Sequence, residues 1–336
     1  MIDVSVCISV HNTADFLPRC LDSVCAQTLK SLEIVLVNNG STDNSEEIMR
    51  QYAANHPERK FVIFVQEDKG LSQGRQSGVN NASGRYIAFL DADDYVAPTA
   101  YEKMLQAAEE HNADIVQIQT FREDRVLSSK NSGLCDSHQV LKDYFEWDQS
   151  TKMLWLKLYN RELFEGKPVL SDLYVNNEDG FAWPCLLYKA KNIYFLNEPL
   201  HTYSTDNEHA VMHSLFTQKA LASKLKENRK KILHIIPHIE GYIGKDVLGS
   251  EFQPCFNHLK DDILIKFLTT YVYGFSFKER IDEVKAVLGF SSFAEINDFV
   301  KNNLPTDEDN KVYRLVKHLG VRNVYYLMKV RNTFKQ

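Results

Sequence analysis

The sequence predicts an α/β fold, a parallel sheet with helices on both faces, followed by an all-helical region. Two observations carry that expectation. Short β-branched apolar runs alternate with segments of helical periodicity through the first third of the 336 residues, and beyond about Ser214 only helical patterning remains. A third is composition: with 44% hydrophobic and 25% charged residues the chain matches folded globular proteins, which excludes wholesale disorder.

Val4–Val10 (VSVCISV) is a continuous apolar, β-branched run, expected as a buried strand. In Asp15–Gln27, Phe16, Leu17, Cys20, Leu21 and Val24 recur at helical spacing. Pro18 falls in the first turn of that helix, where proline is tolerated. Glu33–Val37 is the second strand, followed by the turn NNGSTD and a helix from about Asp43 to His56. Phe61–Val65, Arg85–Leu90 and Asp114–Ile118 are the next strands, separated by helices at Leu71–Ala82 and about Pro98 to His111. Crossovers of helical length between strands imply a parallel sheet. From Phe121 to about Tyr203 the alternation loosens. Helices at Ser137–Trp147 and Glu178–Tyr188 and a strand at Asn192–Leu196 are expected to complete the same domain. QKALASKLKENRKKILHII, DDILIKFLTTYVYGF and FKERIDEVKAVLGF then build a second, helical unit, so the domains are expected at 1–213 and 214–336.

The net charge is −6, from 39 basic and 45 acidic residues, which argues against a nucleic-acid partner. The distribution is uneven. Beyond Asp309 there are seven Lys or Arg and no acid, so the remaining 32 basic and 45 acidic residues carry −13. Within this basic end, Val312, Leu315, Val316 and Leu319 share a helical face. An amphipathic basic helix can lie on an anionic bilayer, and it can equally pack as an ordinary solvated helix. Six cysteines without CxxC pairs or zinc spacing predict neither a disulfide framework nor a zinc site. MIDVSVCISV has no basic n-region, and Ile263–Phe277 is interrupted by Lys266 and too short for a span. The expected location is cytoplasmic, with peripheral contact at the inner face of the membrane left open to the basic end.

Ligands of an open parallel sheet bind beyond the carboxyl ends of its strands. Those ends carry Ser9-Val10-His11-Asn12, Asn38-Asn39-Gly40-Ser41 and Asp91-Ala92-Asp93-Asp94. Neither GxGxxG after the first strand nor GxxxxGK[ST] is present, which excludes both common nucleotide loops. DADD at a strand end can offer carboxylates to Mg²⁺ or Mn²⁺, which take one or two carboxylates plus phosphate oxygens. By itself it is as readily an Asp-rich turn capping the next helix.

VSVCISVHN, CLDSVCAQT, LEIVLVNNGSTDNS and GLSQGRQSGVNNASGRYIAFLDADDYVAP, in that order, resemble the family 2 glycosyltransferases, of the GT-A fold. The likeness runs from Val4 to about Pro98 and resumes at Leu154–Phe164 and Asn177–Tyr203. It implies a mixed, mainly parallel sheet, with a nucleotide-sugar-binding half at 1–120 and an acceptor half at 121–213. The resemblance places Asp93 on the metal, Mn²⁺ or Mg²⁺, that neutralises the donor's diphosphate, with Asp91 nearby facing the ribose or sugar beside Ala92. It also places Ser9, His11, Asn12 and Asn39 at the nucleobase, and Asp68 and Arg75 on the donor nucleotide. Two positions depart from the family's pattern: Asn39 replaces the usual Asp, and His11 replaces a Tyr or Phe. An amide carbonyl still accepts a base N–H, without charge assistance. An imidazole can stack on a base or serve only the strand end.

The family inverts the anomeric carbon by direct displacement, which needs a general base. The matching "ED" step is Asn177-Glu178-Asp179, which makes Asp179 the base and Glu178 its neighbour. Taken alone, the pair reads as helix N-terminal acids favoured by the macrodipole. Trp155 and Lys157 fall in the segment that resembles the acceptor side, the former able to stack on a sugar and the latter to reach a phosphate. His209 and His213 either approach the diphosphate or lie in a surface loop. The expected partners are a UDP-linked hexose or N-acetylhexosamine donor and a growing surface glycan such as lipopolysaccharide, lipooligosaccharide or capsule, with a lipid-linked acceptor and a homodimer left open. The rivals are a sugar nucleotidyltransferase, which needs a Gly/Arg-rich loop where His11-Asn12-Thr13 stands, a haloacid dehalogenase-type phosphohydrolase, whose DxD follows the first strand, and a non-catalytic glycan-assembly subunit.

Overall fold

Alternate residues of Val4–Val10, namely Val4, Val6, Ile8 and Val10, are fully buried, and the strand they form lies in the interior of a ten-stranded sheet. The computed structural model describes residues 1–146, 151–170, 178–207, 231–268, 277–303 and 321. In chain order its first elements are β1 (Val4–Val10), α1 (Leu17–Cys25), β2 (Leu32–Asn39), α2 (Ser45–Asn55), β3 (Lys60–Gln66), α3 (Gly70–Asn81), β4 (Tyr86–Phe89), β5 (Tyr95–Val96), α4 (Ala100–Glu110) and β6 (Ile115–Arg122). There follow β7 (Arg125–Leu127), β8 (Gly133–Asp136), α5 (Ser137–Phe145), β9 (Lys157–Asn160), α6 (Glu178–Lys189) and β10 (Asn192–Tyr203).

The strand order is β3-β2-β1-β4-β9-β6-β10-β5, with β7 on β6 and β8 on β10. The β3-β2-β1-β4 part is wholly parallel, as the helical crossovers require. Beyond it the sheet is mixed: β9 runs antiparallel to both β4 and β6, whereas β10 is parallel to β6. The fold is α/β, mixed and mainly parallel, with helices on the sheet. Four strands escape the sequence reading (β5, β7, β8 and β9), because two to four residues are too few to show a period. The strand expected at Asn192–Leu196 instead runs on to Tyr203, bending through register irregularities around Pro199.

Helix α3 approaches the sheet unusually closely. A Cβ on Gly74 would lie 2.1 Å from Ser9 Oγ, and one on Gly78 would lie 2.9 Å from Cys7 Cβ. Only residues without a side chain let the helix backbone settle onto β1 there, one turn apart.

The described residues fall into two compact units, one within Met1–Leu141 and Gln149–Phe216, the other within Lys142–Asp148 and Thr217–Gln336. The predicted boundary at 213/214 lies outside the described residues. In the second unit are α7 (Ile235–Ile243), α8 (Lys245–Glu251), α9 (Gln253–Lys266), α10 (Phe277–Leu288) and α11 (Phe293–Asn303). Phe145 meets Phe252 and Phe256 at ring-centroid distances of 6.1 and 5.2 Å there. Buried Arg280 donates to the carbonyls of Phe267 and Leu268, closing the end of α9. No helix among the described residues is long and apolar enough to cross a membrane. The basic end at 311–336 lies outside them except for residue 321, as do His209, His213 and Asn177.

Candidate active site

Three carboxylates converge on one guanidinium at the carboxyl end of β4. Arg75, on α3, is 3% exposed. Its Nη2 donates to Asp91 Oδ1 at 2.8 Å, while its Nη1 donates to Glu178 Oε1 and, at 3.3 Å, to Asp179 Oδ1. One cation thus joins the acidic motif after β4 to the first turn of α6. Burial pushes the Glu178 carboxyl up to about 7 against the pull of Arg75. Asp179 is likewise raised by burial, with Arg75 opposing and Asp91 adding to the rise. Its Oδ1 also accepts from the Leu154 N–H at 3.4 Å, whereas its Oδ2 carries no hydrogen bond among the described residues.

The other two acids of DADD face the loop that follows β10. Asp93 Oδ2 accepts from Asn207 Nδ2 at 2.7 Å. Burial, then the charges of Asp91 and Asp94, push the Asp93 carboxyl up to about 6. Asp94 is 1% exposed and accepts the Ser204 N–H, and burial followed by Asp91 pushes it up to about 8. His201 Nε2 stands 3.4 Å from Asp94 Oδ2, its own ring held neutral by burial with a value lowered to about 3. Arg19, on α1, ties this loop down by donating to the Asp93 carbonyl, Ser204 Oγ and Asp206. No motif marks Arg19, Asn207 or His201 in the sequence, and the path of β10 brings His201 and Asn207 to these acids and to the loop that Arg19 holds.

The raised Asp94 value has a definite sign. The folded chain holds a proton that the unfolded chain releases, so this contribution to stability is complete below pH 3.8 and lost as pH rises through about 8. In chelator, thermal melts of the wild type should fall over that window, and Asp94→Asn should flatten the fall. A wild-type melting temperature constant between pH 4 and 8 would contradict it.

Several residues expected at the donor turn to protein partners instead. Asn39, 2% exposed, donates from Nδ2 to Asp68 Oδ1 and the Gly70 carbonyl. Its Oδ1 accepts from Gln66 Nε2 and the Lys69 N–H. Asp68 and the Gly70 carbonyl can only accept, so the amide orientation is fixed and both oxygen lone pairs are taken. His11 Nδ1 donates to the Asn39 carbonyl at 2.8 Å. Asn12, at φ +52°, accepts the Thr42 N–H and shapes the turn after β2. Ser9 faces Gly74, Asp68 is exposed, and Ala92 is buried under the motif.

On the acceptor side, Trp155 stacks on His201 at 4.5 Å and on Tyr203 at 5.6 Å, so it packs within the sheet's own aromatic layer. Lys157, expected to reach a phosphate, is 1% exposed and donates to the Thr151 and Met153 carbonyls beneath the Trp183 ring. Burial lowers its ammonium to about 7. Among the described residues the contacts of Lys157 are internal, its side chain being turned into the core from a strand between β4 and β6.

The sequence pattern of the family described as Glycosyl transferase family 2 matches residues 5–167. Cholesterol galactosyltransferase of Borreliella burgdorferi is 30% identical over 335 residues, covering 89% of this chain and 87% of that protein. The chain belongs to glycosyl transferase family 2. Glycosyltransferase GlyA of Streptococcus pneumoniae is 30% identical over 213 residues, 60% of this chain but only 30% of GlyA's length. The S. aureus TarS 1-349 crystal structure, in complex with UDP, superposes with a TM-score of 0.66 at 14% identity. It covers 99% of this chain and 92% of that one, and it establishes the GT-A fold. Within this family-2 chain, the DADD and "ED" motifs, 88 residues apart between Asp91 and Asp179, meet through Arg75.

Proposed function

We propose that the protein is an inverting glycosyltransferase that moves a sugar from a nucleotide-diphosphate donor to a hydroxyl of a surface glycan. The convergence of Asp91, Glu178 and Asp179 on Arg75, beside Asp93, carries this reading. The donor class is a UDP-linked hexose or N-acetylhexosamine, in line with the UDP held by the TarS structure. In this reading 1–213 is the catalytic domain and 214–336 a helical domain with a basic amphipathic end.

In the transfer, Asp179 Oδ2 takes the proton of the acceptor hydroxyl as its oxygen attacks the anomeric carbon. The new C–O bond forms on the face opposite the breaking bond, and the electron pair of that bond leaves with the diphosphate. Oδ1, anchored by Arg75 and the Leu154 N–H, keeps the carboxylate aimed while Oδ2 works.

Asp93 fits a divalent cation, with Asp91 nearby. Its carboxyl is raised first by burial and then by the charges of Asp91 and Asp94, and that second part is a surplus of negative charge that a cation would relieve. Among the described residues no three His, Cys, Asp or Glu side chains form a closed metal cage. Mg²⁺ and Mn²⁺ take one or two carboxylates, with phosphate oxygens and water completing the shell. When bound, such an ion neutralises charge on the departing diphosphate.

Titration calorimetry with UDP, in Mn²⁺ and in chelator, followed by a panel of UDP-sugars, tests the reading. Metal-dependent binding with one sugar preferred is expected. Asp93→Asn should weaken UDP binding in Mn²⁺ to the level seen in chelator. Unchanged metal dependence in that variant would remove Asp93 from the role, and absence of any uridine-nucleotide binding would remove the donor class.

A second reading keeps the chemistry and changes the acceptor to the hydroxyl of a lipid. It is favoured by the galactosyltransferase relative, whose likeness extends over 89% of the chain. Assays with glycan and sterol acceptors separate the two.

A further inference from the structure

We infer that Arg75 is a positioning residue for Asp179 and that Glu178 is the counter-charge that keeps Asp179 basic. This rests on the reading of Asp179 as the general base. The resemblance put Arg75 on the donor nucleotide, but the geometry points inward. The guanidinium is 3% exposed, and both of its terminal nitrogens donate to carboxylates from two other elements. A phosphate-binding arginine would present that edge outward. The α3 glycines explain how it reaches so deep, because Gly74, next to Arg75, lets the helix sit against Ser9.

The two carboxylates at the start of α6 are held unequally. Glu178, 8% exposed, makes the shorter contact with Nη1, whereas Asp179, 19% exposed, meets the same nitrogen at 3.3 Å. A guanidinium that paired fully with Asp179 would fix its place but strip its basicity, since an adjacent Arg lowers an Asp by about 1–3 pH units. Dividing the cation among three acids avoids this. The net charge of the cluster stays negative, Asp179 is oriented through Oδ1, and its proton affinity is preserved. Among the described residues, the charged and titratable groups around Asp179 are Arg75 from α3, Asp91 after β4, Lys157 and Tyr159 from β9, and Glu178 beside it. Lys157 is the other cation in that set, and it is turned onto backbone carbonyls. Removing Glu178 therefore leaves Arg75 as the group free to move toward Asp179.

The test follows UDP release from UDP-glucose, UDP-galactose and UDP-N-acetylglucosamine by water, with UDP affinity measured by calorimetry on the full chain. In Glu178→Gln the acidic limb of the kcat–pH profile should move down by about one unit or more, with kcat on the plateau reduced and UDP affinity within about twofold of wild type. Arg75→Lys cannot span three carboxylates, so kcat should fall about 100-fold while UDP affinity holds. An unmoved limb in Glu178→Gln overturns the proposal, and so does an Arg75→Lys loss that appears in UDP binding instead of kcat. If Arg75→Lys fails to fold, the isosteric Glu178→Gln decides alone. Normal turnover by Asp179→Asn would instead overturn the base assignment, a separate failure.

Discussion

Asp179→Asn should lower sugar transfer by about 10²–10⁴-fold, the usual contribution of a general base, and leave UDP binding within about twofold of wild type. The substitution keeps shape. An amide carbonyl in the place of Oδ1 still accepts from Arg75 and from the Leu154 N–H, so α6 stays docked on the acidic motif. What disappears is the basic Oδ2, which makes no hydrogen bond among the described residues and so can take a proton without giving up one of those partners. The fold should not suffer, because three acids share one buried cation and removing one charge relieves repulsion. Steady-state UDP release set beside calorimetry separates the effects. A variant that transfers sugar normally would end the assignment, and one that loses UDP binding would place Asp179 at the donor.

Arg75 and Asn39 show how far the sequence could carry the site. Asp91, Asp93 and Asp179 are legible because their chemistry needs carboxylates at strand and helix ends, positions that the alternation of elements already locates. The direction in which Arg75 points is not legible. It depends on α6, which follows it by about a hundred residues, bringing Glu178 and Asp179 to it. Asn39 reads as a base-binding position with its charge removed. In the fold its amide is instead the hub of a loop, filled by Gln66, Asp68, Lys69 and Gly70. An Asp there would set a second carboxylate against Asp68 and the Gly70 carbonyl, which only an N–H donor can satisfy.

The sheet divides in the same way. β1 and β2 are announced by long apolar runs because these parallel strands are covered on both faces, whereas β3, at the sheet edge, keeps its apolar run while partly exposed. β9 has four residues and is defined by its neighbours, β4 and β6, and not by its own pattern. Lys157 shows the consequence: a lysine looks like a surface residue until the strand carrying it is inserted into the middle of the sheet. The Asp93–Asn207 and Arg19–Asp206 contacts likewise rest on where β10 ends.

Gly74→Ala should be among the most damaging single-methyl changes in the first unit. The added Cβ would stand 2.1 Å from Ser9 Oγ and 3.0 Å from Ser9 Cβ, so the side chain and the helix cannot both stay in place. Overpacking of this kind costs about 1–3 kcal/mol. In a unit of this size each kcal/mol lowers the melting temperature by about 2–4 °C. A lift of α3 would also carry Arg75 away from Asp91 and Asp179, so kcat should fall further than the fraction unfolded explains. Ser9 supplies the control. Ser9→Gly removes both clashing atoms, so the double variant should recover most of the lost melting temperature, with a coupling of at least about 1 kcal/mol in a double-mutant cycle. Purely additive effects would mean that the helix does not rest on Ser9. If Ser9→Gly alone weakens UDP binding severalfold with α3 unmoved, Ser9 belongs to the donor pocket as the resemblance first implied, and its packing against Gly74 is secondary.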